Sequence, residues 1–172
     1  AFISDIFPDD IDWDMSKLCI ANIDIEVGSE NGFPEPSKAN EAITAITILL
    51  NGKYHVFGCG YYDQHRDDVV YNHCADEFEL VDKFLDLWTQ YYPDAITGWN
   101  VNFFDIPYLM NRIKRLFGDE KIAKFSPWGK VHAREVEFKS KKQVSYEIMG
   151  VAMLDYYEMY RKFSSNPNQE SY

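Results

Sequence analysis

Lys17-Leu-Cys-Ile-Ala-Asn22-Ile23-Asp24-Ile25-Glu26-Val27 alternates apolar and polar side chains through its second half. Ile23, Ile25 and Val27 fall on one side of an extended chain, and Asn22, Asp24 and Glu26 on the other. This is the period-2 pattern of a half-buried β-strand. The same alternation sets the Asp24 and Glu26 carboxylates side by side. Two like charges so close repel unless a cation or a proton lies between them. A hard divalent ion such as Mg²⁺ suits that place, because it takes carboxylate oxygens and keeps several waters. A solvated strand face is the plainer reading of these two residues taken alone.

The chain around this strand sorts into alternating elements. Gly28–Asn40, with Gly32, Pro34 and Pro36, reads as a loop. Ile43–Leu50 and Lys53–Gly60 are β-rich runs separated by Asn51-Gly52, a pair that accepts the positive φ a tight hairpin turn needs twice. Asp76–Tyr92 repeats Phe78, Val81, Leu85 and Trp88 at helical spacing, with Pro93 beyond its end. Ala95–Gly98 reads as a short buried strand, and Asp105–Phe117 as a helix closed by Gly118. Ser126–Ile148 reads as an extended hairpin, and Val151–Asp155 as a last strand running into a helix through Tyr157, Tyr160 and Phe163. Residues 1–16 read as a lead-in or the edge of a preceding domain. Three antiparallel strands followed by parallel strand–helix units predict one α/β domain, a mixed sheet flanked by helices.

Composition narrows the function classes. At 172 residues and 46% hydrophobic, the chain is long and apolar enough to form a core. No stretch approaches the roughly 20 apolar residues of a membrane helix, and the acidic start lacks the basic flank of a signal peptide. The first residue is not Met, which suggests a piece of a longer protein. Cys19, Cys59 and Cys74, an odd count without a Cys-x-x-Cys pair, are expected to be reduced, buried thiols. His55, His65 and His73 beside Cys74 match no structural zinc spacing. The net charge of −11 runs against a nucleic-acid partner. Either the carboxylates hold cations that meet phosphates, or the basic surface lies on parts of the protein outside this chain.

A third carboxylate stands out in Thr97-Gly-Trp-Asn100-Val-Asn-Phe-Phe-Asp105-Ile-Pro-Tyr-Leu109. Asp105 before Ile-Pro reads as an ordinary helix N-cap, with Pro107 tolerated in the first turn. A helix start leaning on the first strand would also aim this carboxylate at Asp24. Together, Ile-Asp24-Ile-Glu26 and Thr-Gly-Trp-Asn100…Phe-Asp105-Ile-Pro-Tyr-Leu resemble the first and second exonuclease motifs of the family B DNA polymerases. Gly32-Phe33-Pro-Glu-Pro36, Met153-Leu-Asp-Tyr156 and Tyr160-Arg-Lys-Phe163 resemble the T-even-like phage branch. The resemblance runs over nearly the whole chain from about Lys17.

The resemblance implies a ribonuclease H-like fold over residues 17–172 with an inserted β-hairpin, and a proofreading 3′→5′ exonuclease acting on single-stranded DNA through two ions, Mg²⁺ or Mn²⁺. It implies that Asp24 bridges both ions, that Glu26 and Asp105 each hold one, that Asn100 orients the terminal nucleotide, and that Phe33 stacks on a terminal base. Phe33 packed on its own domain is the competing reading. Lys139, Lys141 and Lys142 on the hairpin fit either phosphate contacts or a solvated edge that blocks strand pairing. The implied partners are the polymerase domains of a parent chain, in the cytoplasm of a phage-infected bacterium. Family members carry a third motif downstream, a Tyr followed four residues later by an Asp. No such pair is present, and Asp155 stands in the wrong context and reads as structural. The piece is therefore expected to be cut before its third motif and to act weakly or not at all alone. A non-catalytic, nuclease-like scaffold and a stand-alone trimming exonuclease are the alternative functions.

Overall fold

The computed structural model describes residues 14–30, 32–63, 65–138 and 141–164. Most of the lead-in, Lys139 and the polar tail from 165 lie outside the described residues. A 3₁₀ turn, Met15–Lys17, precedes β1, Ile20–Val27, so the first strand starts three residues later than its sequence suggests. Ala21, Ile23 and Ile25 are buried, while Asp24 and Glu26 occupy the exposed positions between them. β2 (Ile43–Leu50) and β3 (Lys53–Gly58) form the expected hairpin, and Asn51 and Gly52 carry φ values of 51° and 76° at its turn. A strand absent from the sequence reading, β4 (Val69–His73), runs parallel to β3.

The helix α1, Glu77–Tyr91, is capped by Asp76, whose carboxylate accepts the Glu79 N–H at 2.9 Å. Its end is turned by Tyr92 in the left-handed conformation. The apolar face buries Leu80, Val81, Phe84, Leu85 and Trp88, and the Trp88 indole donates to the Phe125 carbonyl. Phe78, at helical spacing with them, is instead half exposed and rests edge-on against Phe117. Next come β5 (Ala95–Gly98), α2 (Asp105–Phe117), the single turn α3 (Asp119–Ile122), the hairpin β6 (Val131–Phe138) with β7 (Lys141–Ile148), β8 (Ala152–Asp155) and α4 (Tyr156–Phe163).

Six strands form one sheet in the order β4-β3-β2-β1-β5-β8, and β6-β7 stand apart as a two-stranded ribbon. β1 is antiparallel to β2 and parallel to β5, which is parallel to β8. The carboxyl ends of β1, β5 and β8 therefore lie at one end of the sheet, where parallel α/β sheets open crevices. Pairing of β1 with β5 runs only from Ile20↔Ala95 to Asn22↔Thr97. Beyond it the chains part, and Gly98 marks the point. A Cβ there would stand 2.7 Å from the Ile23 carbonyl oxygen and 3.1 Å from the Val101 Cβ. A backbone oxygen in a central strand cannot swing aside as a flexible side chain can. Gly98→Ala should cost about 3 kcal/mol of stability, read from the shift in urea midpoint at unchanged slope.

Of the three cysteines only Cys74 is buried. Cys19 is half-buried and Cys59 is exposed where the chain leaves β3, which corrects the expectation of buried thiols.

Candidate active site

Asp105 ties the opening crevice together. It is the first residue of α2, not its N-cap; Phe104 holds the cap position and makes no side-chain cap bond. The Asp105 carboxylate leaves its own helix and accepts the Ile25 N–H of β1 at 3.0 Å. That amide lies past the last β1–β5 pair, so a side chain from 80 residues away supplies the acceptor a neighbouring strand would have given. The N-cap reading is thus replaced by a cross-strand anchor, and Asp105 is 4% exposed.

Asp24, the residue before Ile25, lines the same cavity of about 480 Å³ as Asp105. Burial pushes the Asp105 carboxyl up to about 7, and the nearby charges of Asp24 and Asp155 push the same way against the Ile25 hydrogen bond. Burial also raises Asp24. Among the described residues no Lys, Arg or His pairs with Asp24 or Asp105. A buried acid beside a second carboxylate, with no counter-charge, holds a proton or takes up a cation. Its hard oxygen donors fit Mg²⁺ or Mn²⁺. Glu26 is not part of this lining. It sits one pleat further out, about 6.6 Å along the strand, where the β1–β2 register shifts between Glu26 and Val27. Among the described residues, no three acidic, His or Cys side chains cluster tightly enough to form a closed metal cage. The structure brings Asp24 and Asp105 together and leaves Glu26 on the rim.

Asn100 lines the cavity in the left-handed conformation, φ 58°. Asn tolerates that region better than most residues. A bracket holds it there. The Asp155 carboxylate accepts the N–H groups of Asn100 at 3.0 Å and Asn102 at 2.9 Å, and also that of Tyr157 at the start of α4. Asp155 is thus the structural acid the sequence suggested, and its ligands are backbone amides.

Phe33 is 87% exposed, with its ring centroid 5.5 Å from that of Phe104, which in turn lies 6.0 Å from Tyr108. It packs on its own domain on one side and presents the other to the cavity mouth. Trp99, packed against Tyr157 and Tyr160, also lines the cavity. Trp99, Phe103, Tyr157 and Gln143 are cavity residues that sequence reasoning did not single out. Trp99 and Phe103 sat within the quoted Thr97–Leu109 stretch, which could have flagged them. Lys142 is exposed on the hairpin.

Comparison with known proteins identifies the family of the chain. Residues 4–172 match the family described as DNA polymerase family B, exonuclease domain. The chain is 34% identical to the DNA-directed DNA polymerase of Escherichia phage RB69 over 100% of its own length and 22% of that protein. It is 31% identical to the DNA-directed DNA polymerase of Enterobacteria phage T4, over 95% of the chain and 21% of the relative. The DNA polymerase delta catalytic subunit of Schizosaccharomyces pombe is 29% identical over 74% of the chain and 12% of that protein. The chain thus spans about a fifth of the length of its phage relatives.

Proposed function

The chain belongs to the exonuclease domains of the family B DNA polymerases, and from that premise we propose that it removes nucleotides from the 3′ end of single-stranded DNA as a proofreading domain. The observation that carries this reading is the juxtaposition of two uncompensated carboxylates, the buried Asp105 and the more exposed Asp24, in one cavity with aromatic lining. Asp24 and Asp105 would hold Mg²⁺ or Mn²⁺, with Glu26 as a further ligand from the rim. The chemistry such ions supply when bound is an acidified water and a counter-charge for the displaced 3′ oxygen.

The protein's own groups do the rest. Phe33 and Trp99 offer ring faces on which any base can stack, which suits an unpaired end of arbitrary sequence. Asn100, fixed by the Asp155 bracket, offers a side-chain amide to the terminal nucleotide. Pre-fixing this turn lowers the ordering cost of binding. The remaining length of the relatives suggests that polymerase domains flank this one, and they are the natural carriers of the basic surface that a charge of −11 lacks. The setting that follows is the cytoplasm of a phage-infected bacterium.

End-labelled single-stranded DNA with Mg²⁺ or Mn²⁺ tests the proposal, in this chain and in a form extended through the downstream motif. The extended protein should shorten the label from the 3′ end, and Asp24→Ala should reduce that rate about a hundredfold to a thousandfold. A label left intact by the extended wild type, with DNA still bound, establishes the competing reading of a non-catalytic scaffold, which the acidic surface favours.

A further inference from the structure

Gln143 of β7 belongs to two cavities at once. It lines the carboxylate cavity and an adjoining groove of about 480 Å³, and it shares both with Pro36 and Phe103. Its side-chain carbonyl oxygen is enclosed and, among buried side-chain nitrogen and oxygen atoms of the described residues, is the one without a hydrogen-bond partner. Buried acceptors in native proteins are nearly always satisfied, so an orphan at a cavity wall needs a reason. The hairpin that carries it is held in place from two sides. Tyr146 donates to Asn111 at 2.6 Å, Ser145 donates to Asn102, and Asn111 donates to the Pro36 carbonyl at 2.9 Å. Gln143 is therefore posted at this wall by hydrogen-bonded neighbours on its own strand, while its own side-chain oxygen has no partner.

The residues Gln143 shares between the two cavities, Pro36 and Phe103, are apolar and uncharged, surroundings suited to a base and not to a phosphate. Each of the four bases carries at least one N–H donor on its Watson–Crick edge, and that edge is free only when the base is unpaired. A primary amide turns about its last torsion at little cost and presents either a carbonyl or an NH₂ group. One glutamine can thus meet the edge of any unpaired base and finds nothing to bond in a paired one.

We propose that Gln143 is a substrate-binding residue that accepts a hydrogen bond from the Watson–Crick edge of the unpaired 3′-terminal base. It supplies selectivity for an unpaired end without selectivity for sequence. This deepens the proposed function and rests on it, since it needs the 3′ end to enter the Asp24–Asp105 cavity.

The test is binding, without turnover. Fluorescence anisotropy in EDTA would compare 5′-labelled oligonucleotides ending in thymine and in difluorotoluene, a base of the same shape without conventional N–H and carbonyl partners. Wild type should bind the thymine end about fivefold to tenfold more tightly, the scale of one hydrogen bond whose loss strands a buried group. Gln143→Leu should bind both ends equally, at the weaker affinity. Equal binding of the two ends by wild type overturns the role of Gln143 and leaves the exonuclease reading standing, and this needs no variant to fold. Discrimination that persists in Gln143→Leu, with an unchanged melting temperature, also overturns it. The protein used is the form extended through the downstream motif, and absence of binding to either oligonucleotide in EDTA and again with Ca²⁺ overturns both proposals together.

Discussion

Asp105→Asn is expected to make the metal-free protein more stable while removing hydrolysis. The Asp105 carboxyl is pushed up to about 7, chiefly by burial and then by the Asp24 charge, whereas an unfolded chain holds it near 3.8. The folded state therefore binds more protons between roughly pH 4 and pH 7, and stability from this group falls as pH rises through that window. At pH 8 the ionised acid opposes folding by about 2–4 kcal/mol. The amide carbonyl of an Asn can still accept the Ile25 N–H, so the substitution keeps the anchor and removes the charge. The melting temperature at pH 8 in EDTA should rise by about 5–10 °C over wild type. Its decline between pH 4 and 7 should flatten.

Mg²⁺ or Mn²⁺ should reverse the order. A cation that binds the folded state alone raises stability with its concentration, and the wild-type carboxylate is the better ligand. Wild type should gain several degrees at millimolar Mn²⁺ and Asp105→Asn little. Should Asp105→Asn melt below wild type in EDTA at pH 8, the buried acid is not the strained, cation-seeking group described here. A stability gain coupled to loss of activity is the expected signature of a residue kept for chemistry at the expense of the fold.

The parts of this architecture legible in the sequence were those fixed by neighbours in the chain. The alternation of Ile23, Asp24, Ile25 and Glu26 gave the strand and its two faces, and Asn51-Gly52 gave the turn, because period and φ are local properties. β4 was not visible, since Val69-Val-Tyr-Asn-His is too short to show a period and is a strand because β3 lies beside it. The local rule also misread Asp105. An acid at a helix start is usually a cap, yet here an unpaired amide in β1 competes for it and wins. That β1 and β5 part after Asn22↔Thr97 is a tertiary fact, and so is the Asp155 bracket, which spans 55 residues to Asn100. Gln143 had no signal at all. Its place depends on how Tyr146 and Ser145 seat the ribbon on α2 and the turn before it.

The same reasoning assigns the largest stability loss to the Glu77–Arg112 pair, which joins α1 to α2 behind the cavity. Their side chains are 12% and 11% exposed, and the carboxylate takes the guanidinium through two contacts, at 2.8 and 2.7 Å. Glu77 also accepts the Ile43 N–H at the start of β2, while Arg112 donates to the Ala39 and Asn40 carbonyls. One pair thus pins two helices, a strand and the end of the loop that bears Phe33 and Pro36. Glu77→Ala leaves the guanidinium without its counter-charge and the Ile43 amide without its acceptor in a poorly solvated place, at a cost of about 3–5 kcal/mol. Arg112→Met leaves the carboxylate with the Ile43 amide and frees two loop carbonyls, at a similar cost. The double variant Glu77→Met with Arg112→Met should be far less destabilised than the sum of the single changes, because it strands neither charge. Urea melts of the four proteins give the coupling energy. Additive losses would show that the pair is a solvated contact without a structural role. Because Arg112 anchors the chain between Pro36 and β2, the folded Arg112→Met protein should also bind single-stranded DNA more weakly, with the loss confined to affinity and the response of Asp105 to Mn²⁺ unchanged.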